Sequence, residues 1–274
     1  MVRKALLLGS VDVSPVLKLG FCHDRQKLSE RYRLVPYPKP AGRHEGDPAD
    51  PYSRLSPVRR SGALDTAQRR SRRMLPRCLG SWNSVFKRFA RWCQPGVWDR
   101  LHSVLARDAD LQHACIDSSV VHAHACAAGA ACNTAAQEAL GRSRGGFSSK
   151  IHVLTDALGL PIRFILTKGQ AADISRAIPV MAGIATSALL ADKGYDTNQL
   201  LAWLKERQIQ AVIPARRNRI EQRSCDWHLY KERHVIECLF GKLKHYRRII
   251  TRYEKRASHF KGMLAFAAVL LWLS

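Results

Sequence analysis

The sequence predicts an α/β domain, a mixed sheet flanked by helices, entered through a short helical segment. Three observations carry that prediction. From residue 110 onward, strand and helix patterns follow one another as three strands, helix, strand, helix, strand and a last long helix. Residues 81–107 show a helical period in two pieces. Residues 1–75 show no sustained period and are rich in Arg, Pro, Ser and Gly, with seven arginines in 59–77 alone. The chain therefore divides into 1–75, expected to be poorly ordered, a helical segment over 76–109, and the α/β domain over 110–274.

In "SWNSVFKRFARWCQ", Trp82, Phe86, Phe89 and Trp92 share one helical face, and Lys87, Arg88 and Arg91 occupy the opposite one. "PG" (95–96) breaks the helix, and "VWDRLHSVLAR" forms a second. Two short helices with a basic outer face suit contact with a DNA backbone, and equally a helical hairpin packed on the main domain. "HACIDSSVVHAH" (113–124) reads as a strand; "KIHVLTD" (150–156) and "PIRFILTKG" (161–169) are strands joined by the turn "ALGL". "DISRAIPVMAGIA" (173–185) is expected to be a helix capped by Asp173, "SALLAD" (187–192) a strand, "TNQLLAWLKERQ" (197–208) a helix and "QAVIPA" (210–215) a strand. That order is the order of a ribonuclease-H-like domain. "MLAFAAVLLWL" (263–273) is too short to span a bilayer and reads as a buried terminal helix.

Charge narrows the partner. The chain carries 45 Lys and Arg against 22 Asp and Glu, a net of +23. Such a surplus repels itself unless a polyanion is bound, and nucleic acid is the first candidate. Two regions hold much of it: 1–75 and 210–261 each carry a net +9. With no membrane segment, and with Asp12 interrupting the apolar start, the chain is expected to be cytoplasmic and associated with the nucleoid. Its eight cysteines form no C-x-x-C, so reduced thiols are expected. His122, His124, Cys126 and Cys132 could offer zinc a site, although a flexible Ala/Gly loop with stray soft ligands is the plainer account.

Most acids have local explanations: Asp156 at a hairpin turn, Asp173 and Asp196 at helix starts, Asp99 and Glu206 on helix surfaces. Asp117 and Asp192 do not. Each lies in or at the end of an apolar strand segment ("ACID", "ALLAD"), where an unpartnered charge is expensive. A helix over 230–248 brings Tyr230, Arg233, Glu237, Lys244 and Arg248 within about 60° of one another. Ile236, Leu239, Leu243 and Ile250 then form its apolar stripe. Within this window alone, Glu237 is explained as well by an i,i+4 surface pair with Arg233. If Glu237 reaches the strand edge carrying Asp117 and Asp192, the three carboxylates suit Mg²⁺ or Mn²⁺, two ions that clamp a phosphodiester displacement.

The spacing Y-x-x-R-x-x-x-E-x-x-x-x-x-x-K is met at Tyr230, Arg233, Glu237 and Lys244. With "IDSSVVHAH", "GRSRGGFSSKIHVLTDALG", "ADKGYD" and "HLYKERHVIECLFGKLKHYRRIITRYEK", it resembles the DDE transposases of bacterial insertion sequences, in the insertion-sequence-five-like group. The resemblance runs from about Leu75 to the C-terminus. It implies that Asp117, Asp192 and Glu237 are the catalytic, metal-holding triad and that Tyr230, Arg233 and Lys244 contact DNA near the cleaved strand. It further implies DNA cleavage at the element's ends, strand transfer by the freed 3′-hydroxyl, and a homo-oligomer that pairs two ends on DNA. Relatives precede "LGSWNSV" with a segment like R-T-G-A-P-W-R-D-L-P. Here "RSGA" (60–63) and "LP" (75–76) are separated by "LDTAQRRSRRM". The upstream bias is that of GC-rich DNA translated out of frame, so a frameshifted N-terminus and impaired end recognition are expected. Two rival functions are a nuclease without strand transfer and an inert DNA-binding remnant.

Overall fold

A computed structural model of the chain describes residues 81–273 other than 131, 132, 136 and 221. The expectations for 1–75 and for Cys132 lie outside the described residues. Contacts divide the chain between Phe89 and Ala90, and the unit Ala90–Ser274 holds every described element after the first helix.

That first helix, α1 (Trp82–Cys93), is amphipathic as its spacing predicts, with Lys87, Arg88 and Arg91 exposed. Gly96 turns the chain with φ of 65° and α2 (Val97–Leu105) follows. The sheet is built from β1 (His113–Ala123), β2 (Gly141–Ser143), β3 (Gly146–Thr155), β4 (Pro161–Lys168), β5 (Ala188–Leu190), β6 (Gln210–Val212) and β7 (Thr251–Arg252). Its main order is β4–β3–β1–β5–β6. β3 is antiparallel to both neighbours, and β5 and β6 run parallel to β1 and to each other. β2 adds to β3 and β7 to the far end of β1. This is the mixed sheet of the ribonuclease-H-like fold, as expected.

Each face of the sheet is covered. On one, Cys115, Val153, Leu190 and Val212 pack with Ile236, Leu239 and Leu243 of α6 (His234–Lys244) and with Phe260 and Leu264 of α8 (Ala257–Leu273). On the other, Ala114, Ile116, Leu154 and Leu189 pack with Val180 and Met181 of α3 (Ala177–Met181) and Leu200 and Leu204 of α4 (Asn198–Glu206). Burying each such aliphatic chain contributes about 1.5–3 kcal/mol. That cost of ordering is met on both sides of β1 and β5, so the strands at the sheet centre are fixed hardest. No helix among the described residues is long and apolar enough to cross a membrane.

Several local expectations change. The helix expected over 173–185 is a 3-10 turn (Asp173–Arg176) followed by the short α3. Pro179 lacks the N–H that an earlier helical start would need, and Gly183 ends the element at φ 74°. Asp173 caps nothing; its carboxylate accepts from Ser118 Oγ at 2.6 Å and from Lys150 Nζ at 2.9 Å. Asp196 does not start α4 either, because Thr197 accepts from the Leu200 N–H and is the cap. The expected helix over 230–248 is interrupted. α5 (Trp227–Tyr230) and a 3-10 turn (Lys231–Arg233) lead into α6, and the path breaks at Tyr246, which is extended. α7 (Arg247–Ile250) begins in a new phase, so Ile249 is buried and Ile250 is half exposed, the reverse of the expected stripe.

Candidate active site

The sheet supplies the first two acids. Cys115 of β1 pairs with Leu190 of β5 in parallel register. Two residues further along each chain stand Asp117 and Asp192, so the carboxylates emerge from neighbouring strands at one end of the sheet. Parallel strands lie about 4.8 Å apart, which makes these two acids neighbours. Asp117 Oδ1 accepts from the Ser118 N–H at 2.7 Å. Asp192 Oδ1 accepts from the Gly194 N–H at 2.9 Å and so caps the 3-10 turn Lys193–Tyr195. A Cβ on Gly194 would lie 2.9 Å from Asp192 Oδ1. Glycine at this point of "ADKGYD" lets the backbone close on the carboxylate.

α6 supplies the third acid. Its start is fixed by the β3–β4 hairpin tip, where Gly159 (φ 76°) lies so close to Val235 that a Cβ would come within 3.0 Å of the valine side chain. Arg233 then reaches both acids: Nη1 donates to Asp117 Oδ2 at 3.1 Å and Nη2 donates to Glu237 Oε1. The pair with Glu237 is the i,i+4 contact expected of a surface helix, and Glu237 is 59% exposed. The bond to Asp117, 116 residues away, makes it more than that. Tyr230 lies under the same guanidinium, 6.0 Å from ring centroid to Cζ. Lys244 lies further along α6, lining a cleft of about 250 Å³ with Ser119, Val120, Phe240 and Ile250.

Burial, and after it the charge of Asp192, holds the Asp117 carboxyl above the usual carboxylate range, against the Ser118 N–H and Arg233, which pull the other way. Arg233 is held above its ordinary value: burial acts to lower it, but Asp117, Tyr230 and Glu237 outweigh that. One arginine spans Asp117 and Glu237. Among the described residues, no three acid, histidine or cysteine side chains gather closely enough to hold a metal ion. The donor set itself, carboxylate oxygens with no soft ligand, suits a hard dication once Arg233 yields its place to one.

The other candidate residues are dispersed. Arg248, on α7, is paired with Glu254 beyond the Tyr246 break. Lys87, Arg88 and Arg91 are exposed along α1. His124 Nδ1 accepts from the Cys126 N–H and its ring stacks on Tyr253 at 5.2 Å, an arrangement that leaves the ring engaged by protein. Cys115, Cys126, Cys225 and Cys238 carry free thiols.

Beside the site, Tyr195 has no role read from sequence, and Asp196 has another than the helix start expected of it. Tyr195 is buried, and desolvation followed by the charges of Asp117, Asp173 and Asp192 pushes its phenol upward. Asp196 has a fully buried carboxylate, bound at 2.6 Å by Arg219 and by Arg223 and at 2.8 Å by the Arg216 N–H. The available signal was Thr197: a good cap next in sequence leaves Asp196 without a capping role.

The sheet carries Asp117 within β1 and Asp192 just past β5, and Arg233 links the first of them to Glu237 on α6. The family described as "Transposase DDE domain" matches residues 108–272, more than half of the chain. The chain belongs to the DDE transposases of insertion sequences, enzymes acting on DNA. A Brucella ovis protein assigned as a transposase for insertion sequence element IS6501 is 38% identical over 128 residues, 46% of this chain and 98% of that protein. A Burkholderia cepacia protein assigned likewise for IS402 is 32% identical over 142 residues, 47% of this chain and 64% of the relative. The Sinorhizobium fredii protein y4sN is 50% identical over 58 residues, 21% of this chain and 46% of that protein.

Proposed function

We propose that this transposase cuts DNA at the ends of its insertion sequence and joins the freed 3′-hydroxyl to target DNA, with Asp117, Asp192 and Glu237 as its triad. The observation that carries this is the Arg233 bridge from Asp117 on the central strand to Glu237 on the helix, beside Asp192 on the neighbouring strand. The three acids would hold two Mg²⁺ or Mn²⁺ ions. When bound, those ions supply Lewis acidity at the attacking and leaving oxygens of an in-line displacement. Arg233, released from the carboxylates, would offer to phosphate oxygens the two Nη donors that Asp117 and Glu237 now hold. Tyr230 orients that guanidinium, and Lys244 holds a phosphate further along the strand. Arg248, Lys87, Arg88 and Arg91 add backbone contacts outside the reacting group. The 76–109 segment would then serve DNA contact and 110–274 catalysis, on a homo-oligomer that pairs two ends.

Glu237→Gln tests the assignment. It keeps size and removes the charge, so Mg²⁺-dependent cleavage of an element-end oligonucleotide should fall by at least two orders of magnitude, with DNA binding retained. Were Glu237 only a surface partner of Arg233, the change would cost roughly 0.3–0.5 kcal/mol of stability and spare cleavage. Normal cleavage in the variant overturns the triad. Cleavage without joining would identify the nuclease alternative, and loss of both in the wild type the inert remnant.

A further inference from the structure

We infer that Arg216, Arg219 and Arg223 form a preassembled phosphate clamp, mounted on the turn that carries Asp192 and held there by Asp196. Asp196 is buried and receives Arg219 Nε on one oxygen and Arg223 Nη2 on the other, each at 2.6 Å. The Arg216 N–H shares the first of these oxygens at 2.8 Å. The Arg216 side chain donates through Nε to the Lys193 carbonyl at 3.0 Å and through Nη2 to the Gly194 carbonyl at 2.5 Å. Gln222 Nε2 ties the loop to itself through the carbonyls of Arg216 and Arg219. Three guanidinium groups are thus fixed by one carboxylate and two neutral carbonyls. Two positive charges are left uncompensated within the set.

The arrangement is costly as a staple alone. One arginine would neutralise Asp196, and two more cations beside it repel one another. Each guanidinium has five donors, of which these bonds use one or two. Arg223 Nε is buried with no hydrogen-bond partner among the described residues. Arg219 and Arg223 remain 22% and 30% exposed, so an anion can reach them. The chemistry that satisfies fixed, convergent guanidinium donors is a phosphate oxygen. On a DNA-acting enzyme that phosphate belongs to the DNA backbone. The clamp's position is set by two hydrogen bonds: Arg216 to the Gly194 carbonyl, and the Gly194 N–H to Asp192 Oδ1. A backbone phosphate held there registers the strand against the acid of β5. The placement relative to the reaction rests on the triad proposed above; the binding itself does not.

The test measures binding of the full chain to a fluorescein-labelled duplex of three helical turns, in EDTA, over a range of NaCl concentrations. Arg216→Gln is the primary variant because its guanidinium bonds only to carbonyls, and its loss orphans no acid. Its slope of log Kd against log [NaCl] should shrink by about one, with affinity several-fold weaker at physiological salt. Neutralising Asp196 together with its two side-chain partners (Asp196→Asn, Arg219→Gln, Arg223→Gln) should shrink the slope by about two. If that variant fails to melt cooperatively, Arg216→Gln decides alone. Arg207→Gln removes the same charge from the end of α4, where Arg207 stacks on Trp203 at 4.2 Å, and should keep the wild-type slope. A wild-type slope for Arg216→Gln, or an equal loss for Arg207→Gln, overturns the clamp. Because EDTA prevents cleavage, that result is independent of whether Glu237→Gln still cuts DNA.

Discussion

Burial and the charge of Asp192 set a cost on ionising Asp117. Its folded-state carboxyl sits above the usual range because burial and Asp192 disfavour the charge. A raised carboxyl contributes stability below its unfolded value and loses it as pH rises through the folded one. Asp117→Asn should therefore raise the melting temperature in EDTA while abolishing cleavage, and Mg²⁺ should raise the melting temperature of the wild type only. A lower melting temperature for the variant would mean that the Arg233 bond outweighs desolvation. His152 has the opposite sign. It is buried against Thr167 Oγ1 at 2.8 Å, and desolvation pushes its pKa down to about 4 from 6.5. The unfolded chain takes up a proton near 6.5 that the folded chain refuses until about 4, so stability is lost as pH falls through that window. Urea midpoints between pH 7.5 and pH 4.5 should drop less steeply in His152→Gln than in the wild type. Equal slopes would remove His152 as a cause.

At the scale of the element, two helical glycines separate packing from propensity. A Cβ on Gly262 of α8 would lie 2.5 Å from Cys93 Sγ and 3.2 Å from Trp98 Cδ1, whereas one on Gly241 of α6 meets nothing within 4 Å. Gly262→Ala should destabilise by on the order of 1–3 kcal/mol, and Gly241→Ala should stabilise by about 0.5–1 kcal/mol. Thermal melts of the two variants should move in opposite directions; stabilisation in both would show that α8 can move away from Cys93 of α1 and Trp98 of α2 without cost. The same elements mark what the sequence could disclose. β1 and β5 were legible because strands buried on both faces leave a near-continuous apolar run, and an acid in such a run stands out. The interruption at Tyr246 was not, since neither His245 nor Tyr246 is a helix breaker and the new phase serves the burial of Ile249. Nearness to a helix makes Asp173 read as a cap and Asp196 as a helix start. Their real partners, Ser118 and Lys150 for one and three arginines for the other, lie 23 to 55 residues away, or 20 for a backbone N–H, beyond any local pattern.

For the molecule as a whole, the net charge of +23 is a standing load on the folded state. Within the described residues, Arg219 and Arg223 share the one carboxylate of Asp196. Two remedies exist, screening by salt and neutralisation by a polyanion, and they act on the same repulsion. At low ionic strength the protein should therefore melt early, and either NaCl or duplex DNA should raise the melting temperature. Bound DNA adds its own linkage, about 2.7 kcal/mol at a hundredfold excess over Kd. Salt weakens that binding steeply, since each neutralised phosphate contributes roughly 0.9 to the logarithmic slope. The two treatments should consequently compete rather than add: the rise produced by DNA shrinks as NaCl increases, until the curves with and without DNA meet. Differential scanning fluorimetry across a grid of both concentrations measures this directly. Additive shifts at every salt concentration would mean that DNA is held by contacts other than its phosphates, and the cationic surface would then need another explanation.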